Sequence, residues 1–498
     1  MSSSRPAQRR GVLSAIPLVF LLSSWHLFHH TTTAFANSND AASVHAAANS
    51  ASSQQSPSLL ADKKVCISGG GPCGLFLAAL LIQNDPTVQI TILEKSERGG
   101  GSDGSGINAF GIGLGARLLH SLDAVPGLRE KVESVGAKTN FGTKIISRTD
   151  LSEQMTRFVE NMDRERRQCQ IRFGEGCADI DLEGKEVTTT AGRKIQYDLL
   201  IGADGINSAV RRTLVEKKGL KVEHYLEPSL WKALRMPPQS DFDAGSFKAL
   251  RHPVLRGGRL LPRYPEGHII LAFWAREDGS TNPGNLDTAE ELKAMFTDAL
   301  QDDPPKQSAR KNRKLLGLEN DGDIAGKRRD IVFDDEAVDI FLKTRPGRSH
   351  YMKVDRFHDD SVALVGDAAH GMNSLLGQGC AAGLKYTQVL VEELGSDSKH
   401  LNEALQSYSK RAVRGAHAIT DLNRVGATVL KAGSILKALM FPFMMLQKVL
   451  GRTIFEQIAK VDIPYEQILR ENWFLIPFAR LRWRLERLPF PRKPTRSA

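Results

Sequence analysis

An α/β fold built round a parallel sheet, with an inserted sheet-rich domain and a helical C-terminal region, is what three stretches of this chain predict. The first is a glycine turn, Gly69-Gly70-Gly71-Pro72-Cys73-Gly74, placed between a short strand-like stretch, Lys64–Ser68, and an apolar helical run. The second is Asp198-Leu199-Leu200-Ile201-Gly202-Ala203-Asp204-Gly205. The third is Val365-Gly366-Asp367-Ala368-Ala369-His370, followed by Gly377-Gln378-Gly379. A lone glycine turn is common. Three such stretches in this order, between residues 69 and 379, point to one large dinucleotide-binding fold.

Taken in order, residues 1–36 read as a targeting segment. Arg5, Arg9 and Arg10 precede a short apolar run, Val12 to Leu22, and Ala34-Phe35-Ala36 suits a small-residue cleavage site. The run is too short for a membrane span. Residues 37–62, rich in Ser, Ala and Asn, are expected to form a disordered, transit-like linker. The pair resembles the bipartite presequence of algae with complex plastids, which implies a plastid location. A secretory signal followed by a flexible linker is the alternative.

The folded region opens at Lys63, and residues 63–220 form the first part of the nucleotide-binding domain. Lys64–Ser68 reads as a strand, Gly74–Ile82 as a helix and Val88–Glu94 as a second strand, which is a βαβ unit. Lys194–Ile201 reads as a further strand ending at the second motif. Residues 221–345 change character. His268–Trp274 is a strand candidate among proline and glycine turns, so an inserted β-sheet domain for substrate is expected there. The charged stretch 302–328 reads as a loop or short helices. Residues 346–410 return to the first domain through a buried strand at 361–366, and 411–498 read as helices.

Length and composition agree with a globular protein of more than one domain: 498 residues, 41% hydrophobic and 25% charged. The net charge of +10 suits anionic ligands, an anionic membrane surface or simply a basic solvated surface. Nucleic acid is not expected as a partner, because no zinc-ligand spacing and no nucleic-acid module is present. The five cysteines, Cys66, Cys73, Cys169, Cys177 and Cys380, are odd in number and lack CxxC spacing. They read as reduced thiols, and no metal site is expected.

The motifs carry a definite chemistry. Gly69 permits a tight turn after the strand, Gly71 lets backbone approach a pyrophosphate, and Gly74 lets the helix pack close to the sheet. The helix N-terminus then presents its partial positive charge to phosphates. Glu94, ending the second strand, can accept hydrogen bonds from ribose hydroxyls. Asp204-Gly205 reads either as a further ligand-facing turn or as a turn with a capping Asp.

With these motifs in hand, the chain resembles the single-component FAD-dependent monooxygenases, among them kynurenine 3-monooxygenase, 4-hydroxybenzoate hydroxylase and zeaxanthin epoxidase. The resemblance runs from about Lys63 to Tyr465 and implies a Rossmann-type FAD-binding domain. Gly106-Ile107-Asn108 and Ile463-Pro464-Tyr465 resemble the kynurenine branch, and Ile146-Ser147-Arg148-Thr149-Asp150-Leu151 resembles the flavin-contacting Arg segment. By resemblance, Arg148 and Gln154 lie along the isoalloxazine and ribityl side. Asp204 and Gly205 lie near the pyrophosphate and the nicotinamide path, Asp367 accepts from the ribityl chain, and Gly377, Gln378 and Gly379 face the flavin pyrimidine edge. His370 is implied to be structural. The reaction implied is reduction of FAD by NADPH or NADH as a transient co-substrate, addition of O2 to give a flavin C4a-hydroperoxide, and hydroxylation or epoxidation of a small apolar or aromatic substrate. No protein nucleophile is required.

Two departures from the family pattern matter. The loop after the third motif reads Gly371-Met372-Asn373-Ser374-Leu375-Leu376, with Ser374 where the family has Pro, so Asn373 and Ser374 stand near the flavin. Ala381 replaces an Asn, and Lys385-Tyr386 replace an acidic pair. Leu114 stands where the kynurenine branch has the Arg that grips a substrate carboxylate, which points away from an amino-acid substrate. A flavin dehydrogenase or isoprenoid reductase of the same fold, and a non-catalytic flavin-binding protein, are the alternatives. At the C-terminus, the apolar stretch Val425–Leu450 suits either a membrane interface or a cap on the substrate pocket, and the Arg-rich stretch Trp473–Arg492 suits either membrane-surface association or a helical cap on the second domain.

Overall fold

A computed structural model describes residues 59–98, 110–140, 142–250, 252, 255, 257–265, 267–274, 288–301, 329–396, 400–431 and 434–487. The targeting segment, nearly all of the linker, Gly106-Ile107-Asn108, the stretch 302–328 and the last residues of the tail lie outside them.

Lys64–Ser68 buries every residue after its first, because the run Val65-Cys66-Ile67 offers no polar face. Such a strand suits the centre of a parallel sheet covered on both sides. It pairs in parallel with Gln89–Glu94 on one side and Leu199–Gly202 on the other. Cys169–Phe173 extends the sheet beyond Gln89–Glu94, and Val362–Leu364 extends it beyond Leu199–Gly202, with His358–Asp359 antiparallel at that edge. The helix Pro72–Asn84 crosses between the first two strands and buries every residue from Gly74 to Ile82. The fold class is the one the sequence predicts.

One strand differs from expectation. Lys194–Ile201 is not continuous: Lys194–Gln196 pairs antiparallel in a small three-stranded ribbon, whereas Leu199–Gly202 joins the parallel sheet. The break falls at Tyr197-Asp198, where the Asp198 carboxylate accepts the Lys64 amide at 2.8 Å and so ties the entry of one strand to the start of its neighbour.

A second sheet runs Lys248–Leu250, Gly257–Pro262, His268–Trp274, Val222–Met236, Gly347–Val354, antiparallel throughout. Alternation along its strands makes two faces. Leu234, Leu260, Ile270 and Trp274 pack in one core with the helices Ala289–Leu300 and Asp335–Lys343. Ala233, Leu261, Ile269 and Leu271 point the other way, towards Ile145 and Phe110 of the nucleotide-binding side. The pairing of Val222–Met236 with Gly347–Val354 slips between Leu226 and Leu230, so Glu227-Pro228-Ser229 bulge out of the ladder.

The C-terminal part is helical. Gly379–Leu394 packs on Pro72–Asn84 and on the 31-residue helix Leu401–Lys431. Ser434–Val449, with Pro442 inside it, follows. Ile476–Arg487 folds back so that Trp483 lies against Tyr225 and Tyr351 of the second sheet. Of the two readings of this tail, the described part is the packed cap. Among the described residues no helix is long and apolar enough to cross a membrane.

Candidate functional site

The three motifs meet at the carboxyl ends of the parallel strands, the position where open α/β sheets bind ligands. Gly69 sits at φ +112°, and a Cβ on it would run into the Ala203 carbonyl. A Cβ on Gly74 would land on the Gly69 carbonyl oxygen, so the helix packs directly on the turn. Gly71 is different. Only Arg148 Nη2, at 3.9 Å, lies within reach of a Cβ there. Gly69 and Gly74 close the turn, and Gly71 faces open space at the start of Pro72–Asn84. No side chain caps that helix, so its first amides keep their donors for an anion.

Glu94 pins the turn: Oε2 accepts the Gly70 amide and Oε1 accepts the Ser96 amide, each at 2.9 Å. Each oxygen has a second lone pair for a ribose hydroxyl. Asp204 Oδ2 accepts the Ala209 amide at 2.7 Å and the Ser68 hydroxyl at 3.3 Å. It therefore supports the start of Ala209–Lys218, as a capping Asp would. Its Oδ1 is buried and has no hydrogen-bond partner among the described residues. Gly205 follows at φ +73°.

Arg148 links the first and third motifs. Ser147 caps its helix by accepting the Asp150 amide at 3.0 Å, which sets Arg148 at the first helical position beside Gly71. Gln154 lies further along the same helix, half-buried. Asp367 is accessible from the cleft yet enclosed by protein. That burial raises its pKa, while the Arg148 and Arg211 guanidiniums pull it down. Arg211 is itself tied to the carbonyls of Ala368 and Ile206.

Gly377, at φ +63°, ends the turn Ser374–Leu376 and leads into Gly379–Leu394, whose N-terminus also lacks a side-chain cap. Gln378 Oε1 accepts the Tyr465 hydroxyl at 2.9 Å, so this side chain is turned to the C-terminal region. Asn373 caps the turn by accepting the Leu375 amide at 3.1 Å, and Ser374 is exposed. His370 is buried between Phe357 and Tyr386, and burial drives its pKa down to about 3, which fits packing rather than acid–base work. All five cysteines are free thiols. Burial raises Cys73 well above its ordinary value and Cys380 to about 12, so neither is a nucleophile at neutral pH.

Beyond the cleft, the inward face of the second sheet combines apolar and cationic groups. Phe110 and Trp231 meet edge to face at 5.9 Å. Arg259 is accessible yet largely enclosed. Burial lowers its pKa, and among the described residues no carboxylate pairs with it; it donates to the Gly258 carbonyl at 2.8 Å. Arg263, near Arg235, is likewise shifted down by burial. Sequence reasoning missed these arginines. The sheet alternation that aims Arg259 with Leu261 was their only signal. Leu114 is buried at 4% exposure. Arg117, one helical turn later, is committed to the carbonyls of Ile458 and Ile463 and lies over the Tyr465 ring.

The residues fit FAD: an open approach at Gly71, two uncapped helix N-termini, an orphan Asp204 oxygen and an enclosed, accessible Asp367 converge on one cleft. Comparisons agree. The chain is 28% identical over 316 residues to a kynurenine 3-monooxygenase 2 of Aspergillus niger, covering 58% of this chain and 59% of that protein. It is 25% identical over 388 residues to a kynurenine 3-monooxygenase of Flavobacterium psychrophilum, covering 72% and 79%. The chain thus spans about three-fifths of the first relative's length. The fold is similar to 2-methyl-3-hydroxypyridine-5-carboxylic acid oxygenase in its tetrameric form (TM-score 0.54, 19% identity, 75% of this chain and 93% of that one). It is also similar to the tetracycline destructase Tet(51) (TM-score 0.51, 17% identity, 78% and 96%). The family described as FAD binding domain matches residues 62–315, just over half of the chain. With the motifs and the sheet order in agreement with this match, the chain belongs to the family described as FAD binding domain.

Proposed function

We propose that this chain is an FAD-dependent monooxygenase that uses NADPH or NADH and O2 to hydroxylate or epoxidise a small substrate with an apolar or aromatic body. The observation that carries the reading is the junction of two surfaces. Arg148, beside Gly71 and within electrostatic reach of Asp367, donates its amide to the Phe110 carbonyl at 3.2 Å, and Phe110 in turn meets Trp231 on the second sheet, so the nucleotide turn adjoins that sheet's apolar face. Arg259, which no carboxylate among the described residues pairs, favours a substrate that carries an anionic group, where Leu114 pointed to a more apolar one.

When bound, FAD would carry electrons from the nicotinamide to oxygen. The chain's residues do the rest. The Pro72 helix N-terminus and the Gly71 backbone hold the pyrophosphate, and Glu94 takes the ribose. Asp367 takes the ribityl hydroxyls. The Gly379 helix N-terminus favours negative charge on the ring. Phe110, Trp231 and Leu261 exclude water from the reacting face.

The test is oxygen consumption by the purified yellow protein with NADPH or NADH, screened against aromatic acids, quinones and carotenoids. Substrate-stimulated oxygen uptake with product carrying one oxygen atom is expected. Reduction of substrate without oxygen uptake would turn the assignment to a flavin reductase, the reading that Ser374 in the place of Pro keeps open.

We also propose that the helix Ser434–Val449 lies on a membrane surface, and that residues 1–36 direct the protein to a plastid and are removed. Ile435, Leu439, Leu446 and Val449 are exposed on that helix, with Leu450 and Trp473 beside it and Lys437 and Lys448 at its flanks. An exposed apolar stripe with cationic edges of this kind suits an interfacial helix.

A further inference from the structure

The bulge in the strand Val222–Met236 delivers a charge to the cleft loop. Between Leu226 and Leu230 the ladder to Gly347–Val354 loses register, and Glu227, the first residue past the last aligned pair, is buried at 3% exposure, as Tyr225 two residues before it is. A bulge frees such a side chain from a cross-strand neighbour at the cost of local pairing. Its carboxylate Oε2 accepts from Asn373 Nδ2 at 3.3 Å. The same amide donates to the Tyr351 hydroxyl at 2.6 Å. Asn373 Oδ1 then accepts the Leu375 amide, and the Asn373 carbonyl accepts from Asn423 Nδ2 at 3.0 Å. On the far side of Glu227 stands Arg482 Nη2, 4.0 Å from Oε1, on the C-terminal helix whose Trp483 packs on Tyr225 and Tyr351.

Both donors of the Asn373 amide are thus directed at acceptors of the second sheet, which leaves its oxygen one orientation, towards Leu375. An amide with one of those acceptors removed is free to flip, and the oxygen then leaves the Leu375 amide. We propose that Glu227 is a positioning residue of the FAD site: through Asn373 it fixes the loop 371–377 that leads into the Gly379 helix, and Arg482 extends this hold to the C-terminal helix. The inference rests on the reading of the cleft as an FAD site. Its chemistry is separate, because the orienting bonds lie wholly within the protein.

Two variants test it: Glu227→Gln, which makes both partners amides and so removes the preference for one orientation, and Tyr351→Phe, which deletes one acceptor. Hydrogen–deuterium exchange of the cofactor-free protein should show the Leu375 amide exchanging at least tenfold faster in both, with helix Pro72–Asn84 unchanged. In the FAD-loaded protein the visible circular dichroism of the flavin should change while its stoichiometry stays at one. Wild-type exchange at Leu375 in a folded Tyr351→Phe protein overturns the proposal, even if Glu227→Gln fails to fold. A wild-type protein that takes up no FAD overturns the functional reading and leaves the exchange result to judge the loop on its own.

Discussion

Arg148 Nη2 lies 3.9 Å from the point where Gly71 would carry a Cβ, and nothing else among the described residues comes within 4 Å of that point. Gly71 already has extended backbone, φ −80° and ψ 178°, so a side chain there strains nothing. Gly71→Val should therefore leave the cofactor-free protein folded and abolish FAD retention. Gly74→Ala should instead fail to fold or melt far lower, because its methyl group lands on the Gly69 carbonyl. Thermal melts with flavin content by absorbance distinguish the two. A fully yellow Gly71→Val protein would refute this role for the turn.

Asp367 separates stability from binding. Burial lifts its pKa above the ordinary 3.8, with Arg148 and Arg211 opposing. A raised carboxylate pKa means the folded state holds the proton more tightly than the unfolded one. Its stabilising share is present below the ordinary value and is lost as pH rises through the folded value. Asp367→Asn should thus melt higher than wild type at pH 7 without cofactor, with the difference vanishing at acid pH. The same change should weaken FAD binding roughly ten- to a hundredfold, the equivalent of about 1.5–3 kcal/mol for a charge-assisted hydrogen bond. Equal melting curves and equal affinity would remove Asp367 from the site.

His370 predicts the acid limb. Its ordinary value of 6.5 falls to about 3 through burial, with His417 adding to the shift. The unfolded chain takes up a proton below 6.5 and the folded one does not, so stability from this group is full above 6.5 and declines as pH falls towards 3. The slope is about 1.4 kcal/mol per pH unit for one group. His370→Phe, which keeps the ring between Phe357 and Tyr386, should flatten the decline by that amount in denaturant titrations at pH 4 to 6. A parallel pair of curves would contradict it.

Arg259 tests the substrate end. If it receives an anionic group, Arg259→Met should lower kcat/KM for acidic substrates by about a hundredfold, in line with roughly 2–3 kcal/mol for a hydrogen bond to charge. Neutral analogues should change little. An equal loss for both kinds would mean that the arginine only shapes the sheet.

The exposed helix makes a further test. Sedimentation with vesicles rich in phosphatidylserine should carry the wild-type protein down, and the double change Ile435→Asp, Leu446→Asp should release it. Both residues are exposed, so the fold should tolerate the changes. Wild-type protein that stays in the supernatant would refute a membrane surface as the occupant.

What the sequence revealed, and what it hid, follows from the range of the forces involved. The βαβ opening was legible because the glycine turn and the buried runs either side are local. The strand at 268–274 was legible for its length and β-branched, aromatic character, and the structure places it at those residues. The run 194–201 misled because periodicity cannot tell which sheet a strand joins; the Asp198 bond to the Lys64 amide decides that. Leu114 gave only the absence of an arginine. Arg259 supplies a cation from a different strand, visible once the sheet face is known. Glu227 was invisible for a stronger reason, since a bulge is a property of two strands paired across more than a hundred residues of sequence.

The order in which the parallel sheet is filled has a consequence for biogenesis. Leu200, paired with Cys66 on one side, finds its second neighbour only at Val362, and Arg117 finds its carbonyl partners at Ile458 and Ile463. Contacts this distant along the chain make for slow closure, so a nascent chain halted before residue 362 carries an open sheet edge of apolar residues. Such a chain lacks Asp367, the residue proposed to take the ribityl hydroxyls. Cofactor uptake would then act as a late checkpoint, marking polypeptides whose synthesis has finished, and unfinished ones would be the natural clients of chaperones.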